Sequence, residues 1–116
     1  MHKDWNHIAR TLSSGMKELR GGIPETMQAF SGLAAAATAD GALDPKAKEL
    51  IALGISIAVR CDGCIAFHTK AALKHGATRE EVMETIAMAI YMGGGPSMIY
   101  GTQALEAYDQ WAAPKE

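Results

Sequence analysis

Apolar residues recur at helical spacing along nearly the whole chain, and the pattern breaks at a few points marked by glycine or proline. Trp5, Ile8, Ala9, Leu12, Met16 and Leu19 share one face. Their pattern stops at Gly21-Gly22, where a left-handed cap is inexpensive, which predicts a first helix over about residues 4 to 20. Pro24 suits a first helical turn and opens a second helix through Met27, Phe30, Leu33 and the Ala34 to Ala37 run, ended by Asp40-Gly41. Asp44-Pro45 pairs an N-cap with an N1 proline and starts a third, through Leu50, Ile51, Leu53, Ile55, Ile57 and Val59. Beyond its first turn this helix is apolar on most faces, so a central position is expected. Its β-branched stretch from Ile55 to Val59 would suit a buried strand, but the helix-start signals and the length favour a helix.

A fourth helix is expected from about Asp62 to His75, ended by Gly76 at the C′ position. Thr78-Arg79-Glu80-Glu81 has the form of a capping box for a fifth, with Val82, Met83, Ile86, Ala89 and Ile90 as its apolar stripe. Gly93-Gly94-Gly95-Pro96-Ser97 reads as a loop leading into a sixth helix, with Met98, Gly101, Leu105, Tyr108 and Ala112 on one face; the ending Ala113-Pro114-Lys115-Glu116 is expected to fray. No alternating strand pattern interrupts this order. The expected fold is an all-α bundle of about six helices in one domain spanning 1–116.

Composition sharpens the picture. Of 116 residues, 48% are hydrophobic but only 6% aromatic, so the core must come from Ala, Leu, Ile, Val and Met, which suit close helix packing. Helices this apolar on a short chain predict a homo-oligomer. Met83, Met88, Met92 and Met98 read as core or interface filler, and Trp5 and Trp111 as rings buried against helix faces or a partner subunit. Eleven basic and thirteen acidic side chains give a formal charge of −2 without long runs of one sign, so no general attraction to nucleic acid or to an anionic membrane is indicated. The polar N-terminus lacks the apolar core of a signal peptide, and no eighteen apolar residues run together, which reads as a cytoplasmic protein.

In a reducing compartment, two cysteines three apart are poor candidates for a permanent staple and better ones for chemistry. Cys61-Asp62-Gly63-Cys64 lies where the third helix gives way to the fourth, so unpaired backbone N–H groups and a helix dipole can stabilise a thiolate. Such a pair can meet as a disulfide, one sulfur attacking and the other resolving. The Cys-x-x-Cys spacing alone does not say which attacks. His68 follows Cys64 by four residues, one turn later on the same face, and that tilts the choice toward Cys64.

These residues carry a family resemblance. The stretch from Leu43 to Leu53, followed by Cys61-x-x-Cys64-x-x-x-His68, then Gly76-Ala77-Thr78 and the apolar helix to Tyr100, resembles the alkylhydroperoxidase AhpD-like branch of the carboxymuconolactone decarboxylase family. The resemblance implies an all-α protein, commonly a homotrimer or homohexamer. It implies Cys64 as the cysteine that attacks a hydroperoxide, Cys61 as the resolving cysteine and proton donor, and His68 and Glu49 as a proton relay. It further implies a dithiol electron donor, in some relatives a lipoylated protein, and no cofactor. Glu49, beside Lys46 and Lys48, would otherwise read as part of a solvated face. The better-studied peroxidase members carry a histidine between the cysteines, where this chain has Asp62 and Gly63. Decarboxylase members generally lack the cysteine pair, which counts against lactone decarboxylation. Three further readings compete: a general disulfide oxidoreductase, a zinc site using Cys61, Cys64, His68 and Glu49, and an oligomeric scaffold with inert cysteines.

Overall fold

In the computed structural model, which describes residues 2–114, the chain forms six helices: α1 (Trp5–Gly22), α2 (Pro24–Thr38), α3 (Pro45–Ala58), α4 (Asp62–Lys74), α5 (Arg79–Gly93) and α6 (Gly95–Ala112). Lys115 and Glu116, part of the expected frayed end, lie outside the described residues. Among the described residues no helix is long and apolar enough to cross a membrane.

Local signals start most of these helices. The Asp4 carboxylate accepts the His7 N–H at 3.0 Å, and that of Asp44 accepts the Ala47 N–H at 2.7 Å ahead of Pro45. The capping box of α5 is complete: Glu81 N–H donates to Thr78 Oγ1 at 3.1 Å, and Thr78 N–H to Glu81 Oε1 at 2.8 Å. Glu81 also holds Lys46 of α3 at 2.8 Å, and this ammonium, with the Thr78 donors, keeps its carboxyl below the ordinary carboxylate range.

The core is the packing of α3, α4, α5 and α6, joined by the first turns of α1. Leu53 and Ile57 of α3, Ile65, Ala66 and Ala72 of α4, Val82 and Ile86 of α5, and Ala104, Ala107 and Tyr108 of α6 are buried together with Trp5. Polar atoms at its edge find partners across elements: Tyr108 Oη donates to the Ala77 carbonyl at 2.8 Å, and Trp111 Nε1 to that of Ala66 at 3.0 Å. Trp5 is 0% exposed, and truncating a ring so enclosed typically costs about 3–5 kcal/mol.

The structure departs from the sequence expectations at three places. Gly21 and Gly22 are helical and form no left-handed cap; the chain turns at Ile23 (φ −135°), which Pro24 bars from helical geometry. The triple-glycine loop reduces to Gly94 (φ 72°), with Gly93 ending α5 and Gly95 beginning α6. The third helix is central on one face only, because Ile51, Ile55 and Val59 are exposed; of the two readings of Met83, Met88, Met92 and Met98, their exposure removes core filler. Helix α2 contributes no buried residue: it packs on α1, and Lys48 of α3 donates to the Ala37 and Ala39 carbonyls at its end, while Phe30 and Leu33 stay 64% and 63% exposed.

Candidate active site

The site begins with the way α3 ends. Cys61 N–H donates to the Ser56 carbonyl at 3.0 Å and Arg60 N–H to that of Ile57 at 3.2 Å, the paired bonds of a Schellman closure, with Arg60 left-handed at φ 60°. Cys61 is thus the last residue of that closure and, at φ −107° and ψ 102°, the N-cap of α4. Its Sγ accepts the Cys64 N–H at 3.2 Å, the place usually filled by a serine or aspartate oxygen.

Cys64 stands in the first turn of α4. The two cysteines are joined as a disulfide with their Cα atoms 5.2 Å apart, inside the span such bonds require. Both are half-buried. Between them α1 approaches the first turn of α4 at Gly63, where a Cβ would stand 2.6 Å from Leu12 Cδ1, so glycine lets the two helices come together.

One turn beyond Cys64, His68 Nδ1 meets Glu49 Oε1 at 2.7 Å across the α3–α4 contact. The Glu49 side chain is 12% exposed and that of His68 35%, so the carboxylate lies on the protected side of the pair. A carboxylate on Nδ1 fixes the imidazole plane and leaves Nε2 as the nitrogen that exchanges protons. The four sequence-derived residues therefore form two linked pairs, Cys61–Cys64 and Glu49–His68. Among the described contacts His68 bonds neither sulfur; with the sulfurs joined to each other, neither carries a proton for an imidazole to accept. No three His, Cys, Asp or Glu side chains are grouped for a metal ion among the described residues.

The residue between the cysteines also has a partner. Asp62 Oδ2 accepts from Lys3 Nζ at 2.6 Å, and the same ammonium donates to Gln103 Oε1 at 2.6 Å. The sequence reading gave none of these three a role. Lys3 and Asp62 are 59 residues apart and Lys3 and Gln103 are 100 apart, beyond the reach of any local spacing rule.

Comparison with known proteins places this arrangement in context. The chain is 49% identical to a carboxymuconolactone decarboxylase family protein of Legionella pneumophila, whose apo crystal structure superposes with a TM-score of 0.92 over 94% of this chain and 97% of that one. It is 48% identical over 86 residues to an uncharacterised protein of Cupriavidus necator, covering 74% of this chain and 76% of the relative. An uncharacterised protein of Haemophilus influenzae is 38% identical over 108 residues, covering 93% and 96%. Residues 24–107 match the carboxymuconolactone decarboxylase family itself. With the all-α fold and the Cys-x-x-Cys and His spacing of an AhpD-like member, the chain belongs to the carboxymuconolactone decarboxylase family.

Proposed function

We propose that this protein is a thiol-dependent hydroperoxide reductase working through Cys64 and Cys61. The observation that carries the reading is the placement of a bonded Cys61–Cys64 pair at the start of α4 one turn before a histidine oriented by Glu49. The Cys64 thiolate attacks the terminal peroxide oxygen and the O–O bond breaks, giving a sulfenic acid on Cys64 and an alkoxide that takes a proton to leave as the alcohol. Cys61 then attacks the Cys64 sulfur, forming the disulfide and releasing water. A dithiol donor, such as a lipoylated protein, returns two electrons and two protons and becomes a disulfide itself. His68 accepts and returns protons through Nε2, and Glu49 holds its ring.

Peroxide consumption with dithiol donors tests this. Cys64→Ser should lose turnover, whereas Cys61→Ser should consume one equivalent and trap a sulfenic acid on Cys64. A sulfenic acid on Cys61 in the Cys64→Ser protein, with turnover retained on an external thiol, would exchange the two roles. One observation favours a second reading, general disulfide exchange led by Cys61: the backbone N–H at the start of α4 points to Cys61 Sγ, not to Cys64. Exchange with small disulfides without peroxide turnover would select it.

The proposal includes a homo-oligomer, a trimer or hexamer. It is supported by the solvent-facing side of α2 and by an open apolar groove of about 340 Å³ between α3 and α5, lined by Ile51, Ile55, Ala58, Met88 and Met92 among others. Light scattering at micromolar protein should give a mass well above the 12.3 kDa of one chain; a stable monomer overturns it.

A further inference from the structure

The segment before α1, together with Trp5 at the start of that helix, is fastened to α6 through Glu106 and Gln110. Glu106 accepts from His2 N–H, from Lys3 N–H at 2.8 Å and from Trp5 Nε1 at 2.9 Å. Gln110 receives the Trp5 N–H at 2.8 Å and donates to the Lys3 carbonyl at 2.6 Å. Burial by itself would raise the Glu106 carboxyl, but the donors from His2, Trp5 and Lys3 outweigh it and hold the group below its ordinary range, as a charged anchor. With Trp5 enclosed in the core, Lys3 is held between two tethered neighbours, and its ammonium is directed to Asp62 and to the buried Gln103.

That destination matters for the cysteine pair. Asp62 lies in the first turn of α4, directly between Cys61 and Cys64. The dipole and free N–H groups there favour a thiolate, but an unpaired carboxylate at the same turn favours the protonated thiol and competes for the same positive end. Other charged groups on the surrounding elements include Arg60 on the α3–α4 link, Glu49 of α3, His68 and Lys70 of α4, Glu106 of α6, and Asp4, His7 and Arg10 at the start of α1, which packs on α4. Glu49 is matched with His68, and Glu106 is taken up by the segment's own donors. Asp62 is the carboxylate within the Cys-x-x-Cys pair, and its cation arrives from the N-terminal segment, 59 residues away.

We infer that Lys3 is a positioning residue for the redox centre: by neutralising Asp62 it lets the first turn of α4 stabilise the reduced, thiolate form of the Cys61–Cys64 pair. The inference rests on the redox reading above and deepens it, by identifying what sets the poise of the pair. Reduced protein and oxidised glutathione exchange two electrons and two protons to give the protein disulfide and two reduced glutathiones, so the equilibrium constant measures how far the thiolate form is stabilised.

The experiment measures that constant at pH 8, together with the pH profile of thiol alkylation, for the full-length protein and three variants. Lys3→Met should move the equilibrium about three- to tenfold toward the disulfide and shift the alkylation profile to higher pH. Lys3→Arg, which keeps the charge, should stay near wild type. Asp62→Asn should move both readouts the other way and carries the test independently if Lys3→Met folds poorly. Because Asp62 is 40% exposed, raising the salt should shrink the Lys3→Met effect. An unchanged constant and profile in Lys3→Met overturn the inference, and so do equal shifts in Lys3→Met and Lys3→Arg, which would mean that charge is not what acts. If the wild-type protein forms no disulfide with glutathione at all, the redox reading itself fails, an outcome distinct from either of these.

Discussion

The two ends of α4 are approached through the same backbone device made with different residues. After α4 the chain closes with Ala77 N–H on the Ala72 carbonyl at 2.9 Å and Gly76 N–H on that of Leu73 at 3.0 Å, with Gly76 left-handed at φ 87°. Before α4 the matching bonds fall on Ser56 and Ile57, and the left-handed residue is Arg60. A side chain at such a position costs about 1–2 kcal/mol that glycine avoids. The exits differ too. Beyond Gly76, Ala77 ends the closure and Thr78 caps α5, whereas Cys61 does both at once, its N–H spent on α3 and its sulfur on α4. Hydrogen-bond closure thus defines the motif, and the copy with the shorter exit and the left-handed side chain lies against the sulfur pair, where it aims Cys61 at the first turn of α4.

Substitutions at the two ends should therefore separate chemistry from stability. The largest effect is expected from His68→Ala on the reactive side: peroxide consumption near neutral pH should fall about a hundredfold or more, with part of the loss recovered at higher pH as thiolate forms without a base. Thermal melting should move little. A lowered melting temperature with an unchanged pH profile would reduce His68 to a fold-supporting residue. At the other end, Gly76→Ala should leave turnover intact and cost about 1–2 kcal/mol in denaturant unfolding, since no L-residue sits easily at that φ. The smallest effect belongs to Arg60→Gly. Relief of left-handed strain, offset by about 0.5–1 kcal/mol of added chain entropy, should leave a net gain of about 0.5–1 kcal/mol. If Arg60→Gly is instead destabilising, the guanidinium makes a compensating interaction and the two closures are not equivalent.

Features that depend on neighbours along the chain are legible in the sequence. Asp44-Pro45, the Thr78 and Glu81 box and Gly76 appear where their capping chemistry places them, and Cys64 and His68 occupy successive turns of one helix. The readings that failed asked a local pattern to report a long-range fact. The glycines at 21 and 22 mark a permissive backbone, but Pro24 and the packing of the hairpin chose Ile23 for the turn. The apolar faces of α3 suggest a helix central on most sides, yet Ile51, Ile55 and Val59 are exposed, because apolar periodicity says only that a face seeks cover, not that the same chain supplies it.

Local signals suffice for six helices, for the caps at Asp44, Thr78 and Gly76, and for the arrival of two thiols at a helix start with an imidazole one turn on, because each depends on hydrogen bonds and side-chain offsets spanning at most about five residues. Tertiary structure decided which carboxylate meets that imidazole and which cation meets Asp62. Glu49 stood out only through family resemblance, since its pairing across 19 residues requires α3 and α4 to lie side by side. Lys3 carried no local signal: its place beside the cysteine pair follows from Trp5 entering the core and from Glu106 and Gln110 tying down the segment around it, contacts that exist only once α1, α4 and α6 have packed.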